Sequence, residues 1–295
     1  MPLNLQTFKT RTLSAFIFAA IMLLGLFVNQ WTFFLLFAVI HLGCWLEYQK
    51  LVALVDTAYK NITPFHKYGV IIMGFGFMLW TLNASFAIGN FNFQVLGMSV
   101  VVVFAIVLPI TEILFSKKPD PKLVLFSLLG LLYISLSIGL IMDLYETNML
   151  QTLFPKGIIP IFIILCMWVN DTMAYIVGSI IGKTPFSKIS PKKTWEGTIG
   201  GIILCTVVMG FAMYFFITKN YNTAVAEVMK THWFVIAAIA AITGTWGDLI
   251  ESKLKRLAGV KDSGNILPGH GGFLDRFDSL LIATPFVWLY IKLFL

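Results

Sequence analysis

Residues 95–115 read VLGMSVVVVFAIVLPITEILF, a stretch whose one charged residue is Glu112. A helix needs about 20 apolar residues to cross a bilayer, because the hydrocarbon core offers no water to free backbone N–H and C=O groups. The apolarity is continuous rather than alternating, so the stretch reads as a membrane helix and not as a strand of a transmembrane barrel. Outward from it, similar runs lie at 13–29, 31–47, 70–89, 122–142, 158–181, 199–218, 233–250 and 278–295. The expected fold is all-α, a polytopic integral membrane protein with about nine transmembrane helices.

Composition points the same way. The 295 residues are 58% hydrophobic and 12% charged, where soluble chains carry about 25% charged residues. An ordinary water-soluble fold is excluded. The run at 13–29 follows Lys9 and Arg11 in the manner of a secretory signal, but it is long, lacks an A-x-A-like cleavage site and leads almost directly into a second span. It reads as a retained first helix. With a cytoplasmic N-terminus, all of the 21 lysines and arginines except Lys156, Lys219, Lys230 and Lys292 fall on the inner side, which is the positive-inside asymmetry. The expected location is a cell inner membrane with the charged loops in the cytoplasm. The net charge of +7 is assigned to those loops and to anionic headgroups, so the expected partner is the bilayer and not nucleic acid.

Organisation follows the distribution of polar groups. The chain reads as a single membrane domain over 1–295, with scaffold helices in 1–143 and catalytic helices and loops in 158–295. Glu47 and Glu112 fall at cytoplasmic helix ends, where they are expected to reach water. Cys44, Cys166 and Cys205 all lie inside predicted spans and read as small packing residues, neither a disulfide framework nor a metal set. His41, His66 and His232 have no neighbouring ligand residues and read as structural or interfacial; His270 differs in its setting.

After residue 157 polar residues enter the spans. Asn170-Asp171-Thr172 lies near the middle of the sixth run, and a charge at bilayer depth costs several kcal/mol unless it faces a polar cavity or a partner. Asp171 is therefore a functional candidate, expected to order such a cavity. Gly178–Thr184, GSIIGKT, imitates a phosphate-binding P-loop, but it has too few residues between its glycines and follows a membrane helix instead of a strand. Residues 182–198, GKTPFSKISPKKTWEGT, bring Lys183, Lys188, Lys192 and Lys193 together with Ser187, Ser190, Thr194 and Thr198. Ammonium groups and hydroxyls together suit a polyphosphate, although a basic loop that merely sets topology has the same composition.

Residues 247–278, GDLIESKLKRLAGVKDSGNILPGHGGFLDRFD, set Asp248, Asp262, Asp275 and Asp278 among Lys255, Arg256, Lys261 and Arg276. Hard carboxylate oxygens beside fixed cations suggest a divalent metal together with a phosphate. Magnesium in particular takes one or two carboxylates and fills its shell with water and phosphate oxygens. If the last helix begins near Asp275, that residue and Asp278 share a face at its N-terminus, where the dipole favours carboxylates; Asp278 could equally be a helix cap. Ser252, Lys255 and Arg256 share a face if the preceding helix outruns the membrane, with Glu251 placed to pair with Lys255. Pro268-Gly269 and Gly271-Gly272 bracket His270, and glycines there let backbone N–H groups approach a ligand.

The run Ser252, Leu254, Lys255-Arg256, Lys261-Asp262, Gly264, Leu267-Pro268, His270-Gly271-Gly272-Phe273 and Asp275-Arg276-Phe277-Asp278 resembles the signature of phosphatidate cytidylyltransferases, also called CDP-diglyceride synthases. Asn170-Asp171-Thr172 with Ala174-Tyr175 and Gly178, and Ile189-Ser190-Pro191-Lys192-Lys193-Thr194 with Glu196-Gly197, resemble the same family. The motif-level likeness covers residues 170–278. It implies that CTP and phosphatidic acid give CDP-diacylglycerol and pyrophosphate with Mg2+, that Asp248 and Asp275 are metal ligands, that K+ accompanies Mg2+, and that the protein forms a homodimer. On inventory and resemblance together, the residues assigned to chemistry are Asp248, Asp275, Lys255, Arg256, Arg276, Asp278 and His270. Those assigned to substrate are Asn170, Asp171, Ser190, Lys192, Lys193, Thr194, Glu196, Ser252, Lys261, Asp262, Gly271 and Gly272. Two rivals stay open: a CTP-dependent polyprenol or phytol kinase, which would release CDP, and a transporter, since intramembrane Asn-Asp and a Gly-interrupted span also mark substrate paths.

Overall fold

The structure, a computed structural model, describes residues 5–116, 120–146, 154–221, 223–266 and 271–295, with side chains from residue 14 onward except Ala84. His270, Pro268 and Gly269, singled out in the sequence, lie outside the described residues. Among the described residues the helices are α1 Leu5–Phe27, α2 Gln30–Val55, α3 Pro64–Trp80, α4 Phe93–Phe115, α5 Pro121–Leu144, α6 Ile158–Ile181, α7 Trp195–Asn220, α8 Thr223–Leu257 and α9 Leu274–Phe294. Pairing of strands there is limited to two isolated bridges, Ile88↔Phe91 and Pro185↔Thr194. The protein is all-α and membrane-spanning.

Seven of these helices, α2 and α4 to α9, are long and apolar enough to cross a membrane. The expectation of about nine is not reached by that measure. The 17 residues of α3 rise about 25 Å, less than a bilayer core of about 30 Å, and of α1 only Ser14–Phe27 is described with its side chains. The third run also sits earlier than expected. Thr63 caps α3 through a bond from His66 N, and Pro64 occupies its first turn, where a missing N–H costs nothing. Beyond Trp80 the apolar residues leave the helix for a short 3-10 turn, Ala84–Phe86.

The chain divides into two compact units. The first comprises Met1–Asp143 and Leu254–Phe277, the second Leu144–Lys253 and Asp278–Leu295. In the first unit α2 is the central helix, with Phe33, Phe37, Ile40, Trp45 and Leu51 buried. His41 Nε2 and Trp45 Nε1 both meet Ser135 Oγ, at 3.0 and 2.9 Å, in a π-helical turn of α5 at Leu131–Ser135. Such turns widen a helix and re-aim its side chains.

Glu47 and Glu112 in this unit are 2% and 3% exposed, so neither reaches water as expected. Each is instead held by donors, Glu112 by the Thr63 hydroxyl at 2.8 Å. A carboxylate taken out of water needs such partners, and a helix-end position does not by itself provide solvent.

The second unit is built on close helix contacts through small residues. A Cβ on Gly197 or Gly201 of α7 would strike Ala174 of α6, so the two backbones approach as small-residue membrane helices do. On α8, Gly247 lies against the backbone of Asp278 and Ser279 on α9. That contact brings Asp248, its neighbour in sequence, beside Asp278.

Candidate active site

The second unit holds a cavity of about 480 Å3 lined by α6, the α6–α7 loop and α8, a size typical of small-ligand sites. The loop is shaped before any ligand arrives. Phe186 N donates to Lys193 O at 2.8 Å and Trp195 N to Thr184 O at 2.9 Å, making a narrow hairpin. Glu196 receives Thr184 Oγ1 at 2.8 Å and the amides of Lys183 and Thr184 at 3.2 Å each. Glu196 therefore stitches the loop together. Thr194 caps α7, taking the Gly197 amide at 3.1 Å. The result points Ser190, Lys192, Lys193 and Thr194 at the cavity.

Opposite them stand Asn170, Asp171 and Asp248. Lys193 Nζ lies 2.7 Å from Asp248 Oδ2 without the alignment of a hydrogen bond, so the pair is a charge contact. Asn170 is 6% exposed and its Oδ1 has no partner among the described residues. A buried carbonyl oxygen left unpaired costs about 1–3 kcal/mol, which makes this acceptor a candidate for a partner outside the described residues. Asp278, 8% exposed, lies within electrostatic reach of Asp248, Asp171 and Lys193. It is one turn inside α9 and does not cap the helix, because α9 begins at Leu274.

Asp275 occupies the first turn of α9, in the first unit. Its Oδ1 accepts from Lys255 Nζ at 2.6 Å, and its Oδ2 from Ser263 N at 2.8 Å, Ser263 Oγ at 2.9 Å and Gly272 N at 2.8 Å. Gly271 has φ +84°, in the left-handed region that glycine tolerates, and a Cβ there would meet Asp275. α8 continues to Leu257 and so carries Lys255 to this cluster. Arg256 is exposed and donates to Val260 O at 3.1 Å, shaping the loop that follows. Lys261, Asp262 and Arg276 are exposed, whereas Ser252, in the second unit, is buried.

Among the described residues no three His, Cys, Asp or Glu side chains gather to hold a metal ion unaided. A magnesium site does not require three. One or two carboxylates with water and substrate phosphate suffice, and the donors here are hard oxygens. The unpaired Oδ1 of Asn170 beside Asp248, and the lone pairs left on Oδ1 of Asp275, both fit such an ion.

Reasoning from sequence missed Glu47 and Ser263 as members of the Asp275 cluster. Ser263 Oγ donates to Glu47 Oε2 at 2.7 Å. A carboxylate between Trp45 and Tyr48 inside an apolar run was the signal available, since ionisable groups in spans are functional candidates by default.

A polytopic helical membrane protein whose cavity carries lysines, hydroxyls and carboxylates is suited to a phosphorylated substrate at a membrane. The family profile described as "Cytidylyltransferase family" matches residues 9–294, and the chain belongs to that family. It is similar to the phosphatidate cytidylyltransferase of Staphylococcus haemolyticus (strain JCSC1435), at 45% identity over 128 residues, 42% of this chain and 45% of the relative. The phosphatidate cytidylyltransferase of Staphylococcus saprophyticus is 41% identical over 162 residues, 54% and 56% of the two chains. That of Haemophilus influenzae is 40% identical over 127 residues, 43% of each. The chain thus spans about half the length of the curated relatives it matches.

Proposed function

We propose that this protein transfers a cytidylyl group from CTP to phosphatidic acid, giving CDP-diacylglycerol and pyrophosphate. One observation carries the reading: Ser190, Lys192, Lys193 and Thr194 line the same cavity as Asp248 and the unpaired Asn170 Oδ1. Donors for phosphate and acceptors for a cation stand side by side.

The phosphate oxygen of phosphatidic acid is already anionic near neutral pH. It attacks the α-phosphorus of CTP; a P–O bond forms there as the bond to the β-phosphate oxygen breaks, and pyrophosphate leaves. The protein supplies no covalent nucleophile, because such transfers depend on positioning and charge neutralisation. Two like unit charges at 4 Å repel by about 4 kcal/mol at an effective dielectric near 20, and both substrates carry several. Lys192 and Lys193 offset that repulsion and hold the departing pyrophosphate. The Asp171 carboxylate keeps the cavity polar at membrane depth, as its place in the lining suggests.

Magnesium is the cation of this reading, assigned to Asp248 in the second unit and to Asp275 in the first, with K+ as its companion. When bound it polarises phosphate oxygens and neutralises developing charge. The orientation read from the basic loops supports chemistry on the cytoplasmic side of a cell inner membrane, where CTP is dissolved and the lipid enters with its tails still in the bilayer. A homodimer belongs to the same reading and is checked by mass in detergent.

The test is purified protein in detergent given phosphatidic acid, CTP labelled at the α-phosphate, and magnesium. A labelled CDP-lipid with release of pyrophosphate, abolished by a chelator, is expected. Release of CDP with an unlabelled lipid phosphate would indicate a kinase and overturn the proposal.

A further inference from the structure

Glu47 lies on α2, in the half of the chain that reads as scaffold, yet its partners are 216 to 227 residues away. Oε1 accepts the Phe273 amide at 2.9 Å; Oε2 accepts the Leu274 amide at 2.9 Å and the Ser263 hydroxyl at 2.7 Å. A Cβ on Gly264 or Gly272 would run into the same carboxylate. The side chain is 2% exposed. It therefore grips both described ends of the α8–α9 loop and the first amides of α9, where a helix dipole favours negative charge.

Asp275 is the next link. Ser263 Oγ stands between Glu47 Oε2 at 2.7 Å and Asp275 Oδ2 at 2.9 Å, and takes the Asp275 amide at 3.3 Å. Its one proton serves a single carboxylate at a time, while the amides of Ser263 and Gly272 hold Oδ2 in either case. Oδ2 is thus occupied by the loop. Oδ1 meets a cation, Lys255 Nζ at 2.6 Å.

We infer that Glu47 is a positioning residue for Asp275: through Ser263 and the amides at the start of α9 it locks Oδ2 to the loop and leaves Oδ1 as the oxygen that faces a cation. The inference deepens the proposed function and rests on its assignment of Asp275 as a metal ligand. Glu112 provides the internal comparison. It is a buried carboxylate of the same unit whose hydroxyl and imidazole partners are Thr63 and His66, neither of them in the α8–α9 loop.

The experiment uses the full chain in detergent and titrates Mn2+ by electron paramagnetic resonance, with turnover measured in parallel. Glu47→Gln places an amide NH2 against backbone donors, and Ser263→Ala removes the shared hydroxyl. Each is expected to weaken Mn2+ binding about 10- to 100-fold, the usual effect of losing a partner of a metal ligand, and to raise the Mg2+ needed for half-maximal turnover. Glu112→Gln leaves the Mn2+ affinity of the folded protein unchanged. Should Glu47→Gln fail to fold, Ser263→Ala decides the matter alone. Folded variants with wild-type Mn2+ affinity, set against an Asp275→Asn protein that has lost it, overturn the positioning role and leave the proposed function standing. Intact Mn2+ binding and turnover in Asp275→Asn would instead remove the reading of Asp275 as a ligand, and this inference with it.

Discussion

Asp248, inside α8, and Asp275, in the first turn of α9, are both aspartates of membrane helices, and their surroundings differ. Asp248 meets Lys193 across a cavity in a contact that lacks hydrogen-bond alignment. Asp275 is fastened by Ser263 N, Ser263 Oγ, Gly272 N and Lys255 Nζ. The first environment is open, with an unpaired Asn170 oxygen nearby. The second has its donors in place, backed by the buried Glu47. An open wall accepts ligands of varied shape, whereas a fastened carboxylate presents one oxygen in one direction, and preorganised charge is what a transfer reaction uses.

The comparison is broken most severely by removing charge from the open wall. Asp248→Asn is expected to lower the rate of the proposed CDP-lipid formation by about 100-fold or more, with the protein still folded by size-exclusion profile. Lys193→Met follows. A hydrogen bond to a charged group contributes about 1.5–3 kcal/mol, so the KM for CTP rises about 10- to 100-fold; Lys192→Met, at a more exposed position, changes it less. Steady-state kinetics with CTP varied would separate the two lysines.

Pressure on the fastened cluster acts through stability. Gly272→Ala drives a methyl group into the Glu47 carboxylate and is expected to cost about 1–3 kcal/mol by overpacking, visible as a lowered unfolding midpoint in detergent. A wild-type midpoint would mean the cluster is looser than its hydrogen bonds indicate.

The smallest effect is expected at Asp56, which belongs to neither cluster. The Lys122 ammonium, at 2.6 Å, and the Ala58 amide hold the Asp56 carboxyl below the usual carboxylate range. A depressed carboxylate contributes stability above its unfolded pKa and loses it as pH falls through the folded value. Asp56→Asn therefore matches wild type in acid below the usual carboxylate range and is only slightly less stable at neutral pH, with turnover unchanged. The pair is solvent-exposed, where ion pairs contribute little.

How much of this was legible beforehand depended on whether the signal was local. Lys192, Lys193, Ser190 and Thr194 were found because a basic, hydroxylated loop announces itself within a few residues, and the structure brings all four to one cavity. Glu196 was grouped with them by the family resemblance, yet its oxygens are taken by Thr184 and Lys183. α3 was placed too late, because apolar composition outweighed the Thr63-Pro64 start signal. Glu47 was expected to meet water.

The amino-acid sequence by itself determined an all-helical membrane protein and most of its helices, and it marked the stretch from 170 to 278 as the candidate for chemistry. Each of these depends on run length or short spacing along the chain, which a helix preserves. Only the tertiary structure decided that Glu47 answers Ser263, Phe273 and Leu274, that Asn170 keeps an unpaired oxygen, and that Asp275 spends Oδ2 on the loop. A hydrogen bond joins groups about 3 Å apart in space whatever their separation in sequence, so partners more than two hundred residues away leave no local trace.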